Sequence, residues 1–482
     1  MTGAGPGEEL IAAGYAWETA DAPVLHDALN LADLAHAVEL VDRGIVPAGA
    51  GRALLGALLD RAALPAADAG YDPAYGELYA SREHHLTARI GADAGWLRAG
   101  RTRREAVRIA LRITVRERLL DLVAAAADLA AGLADQAERQ VDTLMPDYTY
   151  LQQAQPTTFG HYLLSFADPV LRDAGRLLGE LGYVNASPAG SGAANGSPIL
   201  DDRDGSARAL GFDRAIAHTR DAMWQTDPFL HLLTGATSLV LTQDKLAEDL
   251  EIFASAEFDF VDLAEEYTRP SILMPQKRNP YALTVVRGSA GILLGRLTGQ
   301  AAVAKTPSAR SDNLIYVYGE LPRAIDLACR VTRLSAAVVR TLTARPERMR
   351  AVLDAGFTQA ADLAELLMRR FDADYRTAHR VVQRAVRAGT GLDADGLAKA
   401  ALDVAGREWR LDAAELAAAL DPEVLVRSRT ALGGAAPVAM RPMLDRVRRE
   451  AAEVVARVDA GRSAIGAAED AVRARAREVA GR

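Results

Sequence analysis

The sequence predicts an all-α protein organised around long helices, and three observations carry that prediction. Ala, Leu and Arg dominate a 482-residue chain in which aromatic residues make up only 5%, a composition that favours helix over sheet. Between Thr102 and Leu144 there is no proline and Gly132 is the only breaker. One helix of roughly 40 residues, near 60 Å at 1.5 Å per residue, is therefore expected there. Finally, no period-two apolar alternation of useful length argues for strands.

The elements follow in order. Residues 1 to about 20 open Gly-rich and polar and are expected to be loosely ordered. Leu31, Leu34, Ala35, Val38, Leu40 and Val41 have helical spacing, and the Gly44-Ile45-Val46-Pro47 break separates them from a second helix near residues 53–63. After a turn at 70–75, helix resumes through Tyr79 to Leu86. Thr102 and Glu105 have the spacing of a reciprocal capping box at the head of the long helix. Further helices are expected at 157–181, 222–254, 280–303 and 320–343, each with apolar residues three and four apart.

So many long helices, each with more apolar surface than one neighbour covers, argue for a bundle and for an oligomer that shares it. Beyond Pro346 the helices shorten, and the Leu432 to Pro437 turn precedes a last helix that Gly461 and Gly466 interrupt. The reading divides the chain into an N-terminal helical domain (1–106), a central bundle (107–355) and a small C-terminal helical domain (356–482).

Hydrophobic content of 50% with 25% charged residues is globular, and a formal net charge of −8 argues against general nucleic-acid binding. The apolar run 124–133 is interrupted by Asp128 and is too short for a membrane span. A lone Cys329 excludes an intrachain disulfide and a multi-cysteine metal site. Glu8 and Glu9 sit where a signal peptide would be basic, so a cytoplasmic location is expected.

Chemistry is densest at Arg269-Pro270-Ser271-Ile272-Leu273-Met274-Pro275-Gln276-Lys277-Arg278-Asn279-Pro280. Two prolines make this a loop, with Asn279 read as an N-cap and Pro280 as the first residue of a helix whose free N–H groups face Ser271 and Lys277. A serine between a lysine and a positive helix end can hold a deprotonated hydroxyl able to take a proton from carbon; the plainer reading is a capped surface loop. The glycines of 188–194 lack a Gly-Lys-Ser/Thr ending and are not a phosphate loop. Arg82, Arg104, Arg269 and Arg310, if they converge, would attract a carboxylate; otherwise they are solvated surface charges.

Ser271 together with Met274 to Pro280 resembles the signature loop of the fumarase/aspartase superfamily, and its Met-Pro-Gln-Lys form is similar to the argininosuccinate lyase branch. Thr149-Tyr150-Leu151-Gln152-Gln153-Ala154-Gln155-Pro156-Thr157-Thr158, otherwise a polar cap before a helix, resembles the family segment Thr-His-x-Gln-x-Ala-Gln-Pro-Thr-Thr. Gly100-Arg101-Thr102-Arg103-Arg104-Glu105 resembles its Gly-Arg-Ser-Arg-Asn-Asp.

The departures are as informative. Tyr150 stands in the histidine's place and Thr284 in that of its glutamate partner, so the acid–base pair is absent. Arg104 replaces an asparagine, Arg82 falls at the end of a His-Thr-Ala-Asn stretch, and Pro270-Ser271-Ile272 replaces Gly-Ser-Ser. In the segment that meets the arginine half of argininosuccinate, acidic residues are missing and Arg310 lies near a tyrosine's place.

The resemblance implies a three-domain helical fold, a homotetramer sharing its central bundle, composite active sites from three subunits, and no metal or organic cofactor. It makes Ser271 the base, with Lys277 and Asn279 stabilising the carbanion. Thr102, Arg103, Arg104, Thr149, Gln152, Arg82 and Arg310 would then contact carboxylates, and Tyr150 or His84 would donate a proton. The reaction it implies is cleavage of an N-substituted aspartate to fumarate and an amine, or the reverse. A true argininosuccinate lyase and a non-catalytic lyase-fold protein are the alternatives.

Overall fold

The computed structural model describes residues 5–305, 312–388 and 392–482. Its axis is the helix Arg103–Arg139, 37 residues long, as the absence of breakers predicts. Four other helices pack along it: Ala16–Asp42, Ala167–Val184, Val317–Thr341 and Pro437–Ala480. That surround explains why Val107, Leu111, Leu119, Leu122, Leu129 and Leu133 are all buried, and why Arg108, Arg112 and Arg116 are buried with them. Helices Asp227–Phe253 and Tyr281–Ala304 pack on each other and on Val317–Thr341 to complete the bundle. Among the described residues no helix is long and apolar enough to cross a membrane.

Several expectations need correction. Residues 1–4 lie outside the described residues, and from Glu8 on the segment is not loose: helix begins there, passes through a π-helical stretch at Ile11–Tyr15 and continues into Ala16–Asp42, where Glu18 and Asp21 are buried. Thr102 does cap the long helix, its Oγ accepting from Glu105 N–H at 3.2 Å, but the box is half made. The Glu105 carboxylate turns away and accepts from Gly190 N–H at 2.7 Å. Gly461 and Gly466 do not break the final helix, which runs unbroken for 44 residues. Packing of Val447, Val458 and Ile465 into the main core outweighs the glycines' propensity cost of about 1 kcal/mol each.

The expected polar cap at 149–158 is a β-hairpin, Leu144–Thr149 paired antiparallel with Gln152–Thr158. Tyr150 and Leu151 form its tip, both left-handed at φ of 54° and 56°, the backbone shape of a two-residue turn that follows strand twist. Helix then starts at Phe159, with Thr158 as its cap.

A second, smaller apolar cluster gathers Leu363, Leu367, Val381, Leu397 and Trp409, whose ring stacks on Phe371 at 5.2 Å.

Candidate active site

Three segments carry the predicted chemistry, and each is held differently. The first is the head of the long helix, where a cavity of about 780 Å³ is lined by Tyr15, Tyr75, Glu77, Arg98, Thr102, Arg103 and Arg104. Arg103 pairs with Glu77 at 2.8 Å, and Arg104 sits 3.8 Å from the buried Glu18. Both guanidinium groups stay substantially open, in keeping with carboxylate binding at a helix N-terminus. The Thr102 hydroxyl donates to Gly192 O at 3.2 Å, which fastens the Gly-rich loop to the cavity rim. His84 stacks on the cavity residue Tyr75 at 3.7 Å between centroids.

The second segment is the hairpin tip. Tyr150 is 99% exposed, and the Gln152 amide donates to Leu151 O at 3.2 Å. Thr284, the residue in the glutamate's place, donates to Glu251 at 3.1 Å and makes no hydrogen bond to Tyr150.

The third segment is a small hairpin, Arg269–Pro270 paired with Arg278–Asn279. Ser271 N–H donates to Lys277 O at 3.0 Å, and Met274 N–H donates to Ser271 Oγ at 3.0 Å. An amide proton aimed at that oxygen stabilises negative charge on it. Lys277 is exposed on the same turn. Asn279 is not the expected N-cap: its Nδ2 donates across the hairpin to Arg269 O at 3.0 Å, and the helix begins at Tyr281 with Pro280 before it. The hairpin pairing uses Asn279 as a strand residue, so the cap geometry never forms.

Among the described residues no hydrogen bond or ion pair joins these three segments within one chain.

The three described arginines of that set, Arg82, Arg104 and Arg269, do not converge. Arg82 is fully buried and bonds Asp33 through Nη2 at 2.7 Å and Nε at 3.2 Å, and Asn30 at 2.8 Å, so it is an interior partner and not a carboxylate ligand. Arg269 lies over the Tyr281 ring at 5.3 Å. Arg310 lies outside the described residues. Of Arg82, Arg104 and Arg269, only Arg104 lines the cavity.

Sequence reasoning missed the network beneath that cavity, in which Asp33 accepts from Arg82, Arg101 and the Tyr79 hydroxyl. Asp33 lies 49 residues from Arg82, and no local spacing announces the pair. It also missed Glu105, whose carboxyl burial pushes up to about 7 against the opposing pull of Arg101.

The ordinary value for a glutamate such as Glu105 is 4.5. The folded chain holds a proton that the unfolded chain has lost between about 4.5 and 7, so this stabilisation is complete below the window and lost as pH rises through it. Glu105→Gln keeps an acceptor for Gly190 and cannot ionise. From pH 4.5 to 8 its unfolding free energy is expected to fall on the order of 3 kcal/mol less than the parent's. Urea titrations at the two pH values measure this, and parallel pH slopes would show that Glu105 ionises freely in the fold.

Known proteins resemble this chain in sequence and in fold. A family model described as lyase matches residues 76–295, and one described as argininosuccinate lyase C-terminal matches residues 357–427. The chain is 34% identical over 423 residues to argininosuccinate lyase of Methanoculleus marisnigri, covering 87% of this chain and 86% of that one. It is 34% identical to that of Halobacterium salinarum over 425 residues, covering 86% and 85%.

Among solved structures, an EDDS lyase variant with bound fumarate superposes with a TM-score of 0.88 at 25% identity, over 99% of this chain and 97% of that one. A class II fumarase of Schistosoma mansoni superposes with a TM-score of 0.70 at 14% identity, over 83% and 90%, a likeness of fold alone.

Proposed function

The chain belongs to the fumarase/aspartase superfamily of lyases and is argininosuccinate lyase-like, and from that premise we propose that it cleaves the C–N bond of an N-substituted aspartate. The products are fumarate and an amine, and the same site runs the addition in reverse. Ser271 first releases its hydroxyl proton to solvent; the oxyanion, stabilised by the Met274 N–H, then removes the Cβ proton and becomes a hydroxyl again. The electron pair moves onto the adjacent carboxylate, and the resulting enediolate is stabilised by the Lys277 ammonium and the Asn279 amide. Collapse of that intermediate forms the C=C bond and expels the nitrogen, which takes a proton from Tyr150 as it leaves.

Thr102 and Arg103, with Thr149 and Gln152, hold the two succinyl carboxylates. The observation that carries the reading is Ser271 itself, a hydroxyl placed beside Lys277 with an amide proton already directed at its oxygen.

Two features support a composite site in a homotetramer. Among the described residues the three segments do not bond to one another in one chain, and each lies beside uncovered apolar surface. Ile272 and Leu273 are 102% and 86% exposed, and the helix Tyr281–Ala304 leaves Ile292 and Leu294 open to solvent. Exposed apolar faces of this kind are covered by association.

The amine is argued from charge. An arginine at position 104, on the cavity wall, disfavours a guanidinium leaving group and favours one bearing carboxylate. Purified protein is expected to consume fumarate, followed by absorbance, faster with glycine or aspartate as the amine than with arginine. Preference for arginine would replace the proposed leaving group, and no consumption with any amine would remove the elimination reading.

A further inference from the structure

Arg108 lies one helical turn after Arg104 on the same face of the long helix, and its side chain is buried, with 6% of its surface exposed. Nε and Nη2 are sealed from solvent and have no hydrogen-bond partner; Nη1 alone keeps solvent contact. The ionisable groups facing it are the Tyr318 hydroxyl and Arg104, a second cation. Neither nearby acid answers it: Glu18 lies beside Arg104, and Asp21 pairs with Arg323 at 2.5 Å. Tyr318 is 1% exposed and its hydroxyl also lacks a partner.

The cluster therefore holds several buried donors, and its one acceptor, the neutral Tyr318 hydroxyl, supplies no counter-charge. A buried guanidinium without a counter-charge is strongly disfavoured, and so are unpaired buried donors. Helical side chains lean toward the helix N-terminus, which tips Arg108 toward Arg104 and the cavity that Arg104 lines. Four residues of helix rise about 6 Å. An anion there would sit a short spacer away from one held at Arg103.

We infer that Arg108, Arg104 and the Tyr318 hydroxyl form a second carboxylate subsite, which takes a carboxylate carried on the leaving amine one helical turn inside the Thr102–Arg103 subsite. This rests on the elimination reading for the identity of the ligand, and it narrows the amine to a short amino acid. A free small anion is the other source of the same chemistry.

The test is binding without turnover. In a Ser271→Ala background, calorimetry compares N-carboxymethyl-aspartate with N-methyl-aspartate, in protein with Arg108 and in Arg108→Met. With Arg108 present the extra carboxylate is expected to tighten binding at least about tenfold, and with Met the gain should fall below about twofold. Arg108→Lys, which keeps a charge, should retain part of it. Because the guanidinium has no protein partner, Arg108→Met should melt no lower than its parent and keep the same oligomeric state.

Equal binding of the two ligands, no binding of either, a preference undiminished in Arg108→Met, or a large loss of melting temperature or assembly would each overturn the inference. Tighter binding of free phosphate or acetate alone, lost with Arg108, would assign the cluster to a free anion and overturn it equally. The elimination reading fails separately: if Ser271-intact protein releases no fumarate from N-carboxymethyl-aspartate while the Arg108-dependent preference persists, the subsite stands and the reaction does not.

Discussion

Replacing Ser271 with alanine is expected to lower the rate of fumarate release, or of amine addition to fumarate, by about 1,000-fold or more. The methyl group cannot accept the Cβ proton, and nothing else in the 269–280 hairpin offers a base at that place. The Lys277 ammonium has no lone pair, and the Asn279 side-chain amide, which donates through Nδ2 to Arg269 O, is not a base. Binding of the substrate should change little, because the hydroxyl is expected to meet only the proton being removed.

Stability should change little too. The Ser271 side chain's one hydrogen bond is accepted from Met274 N–H on an open turn, and the hairpin itself is held by backbone bonds that alanine keeps. Initial rates with saturating substrate, beside a melting curve for the variant, separate the two effects. Activity within tenfold of the parent would take the base role away from Ser271, and an inactive parent would leave the lyase fold without the chemistry.

The parts of this molecule that were legible in its sequence are those set by local rules. The long helix could be read because 37 residues pass without a proline, and its start because Thr102 is a side chain that caps. The hairpin at 144–158 could not. Its second strand, Gln152 to Thr158, contains three glutamines and a proline, and its turn is made by Tyr150 and Leu151, neither of them a residue that favours a left-handed backbone. Tertiary contact, not propensity, decides such a segment. Its inner end is buried at Thr157 and Thr158, while its tip stands in solvent.

The same limit separates the site residues. Thr102, Arg103 and Arg104 follow one another in sequence and line one cavity because a helix N-terminus holds them. Arg82 looked equally available, yet its partner is a carboxylate on another helix. Arg108 was passed over because an arginine inside an apolar helix reads as one more solvated charge until its burial is known.

Arg82 is also where the largest loss of stability is expected. Its guanidinium is sealed from solvent and bonds Asp33, Asn30 and the Tyr71 hydroxyl, the last at 3.3 Å. Burial alone would push the Asp33 carboxyl up, but Arg82 and Arg101 together hold it below its ordinary range. A carboxyl depressed in this way stabilises the fold above its unfolded pKa, near 3.8, and loses that contribution as pH falls through the lower folded value. This is the opposite sense to Glu105, although both carboxylates are buried near the head of the same helix.

Arg82→Met fills most of the volume and removes the charge. Asp33 is left with Arg101 and Tyr79, while Asn30 and Tyr71 lose a donor, and breaking a buried pair from one side costs about 3–5 kcal/mol. Denaturant titration at neutral pH should register that loss. The difference between Arg82→Met and the parent should narrow toward low pH, where Asp33 is protonated in both. Arg101 ties Asp33 to the turn that ends in Thr102, so looser packing at Asp33 should also raise KM for the dicarboxylate more than it lowers kcat. A loss under about 1 kcal/mol would mean that Arg101 alone satisfies Asp33, and that Arg82 is free to serve a ligand as its place in the sequence implied.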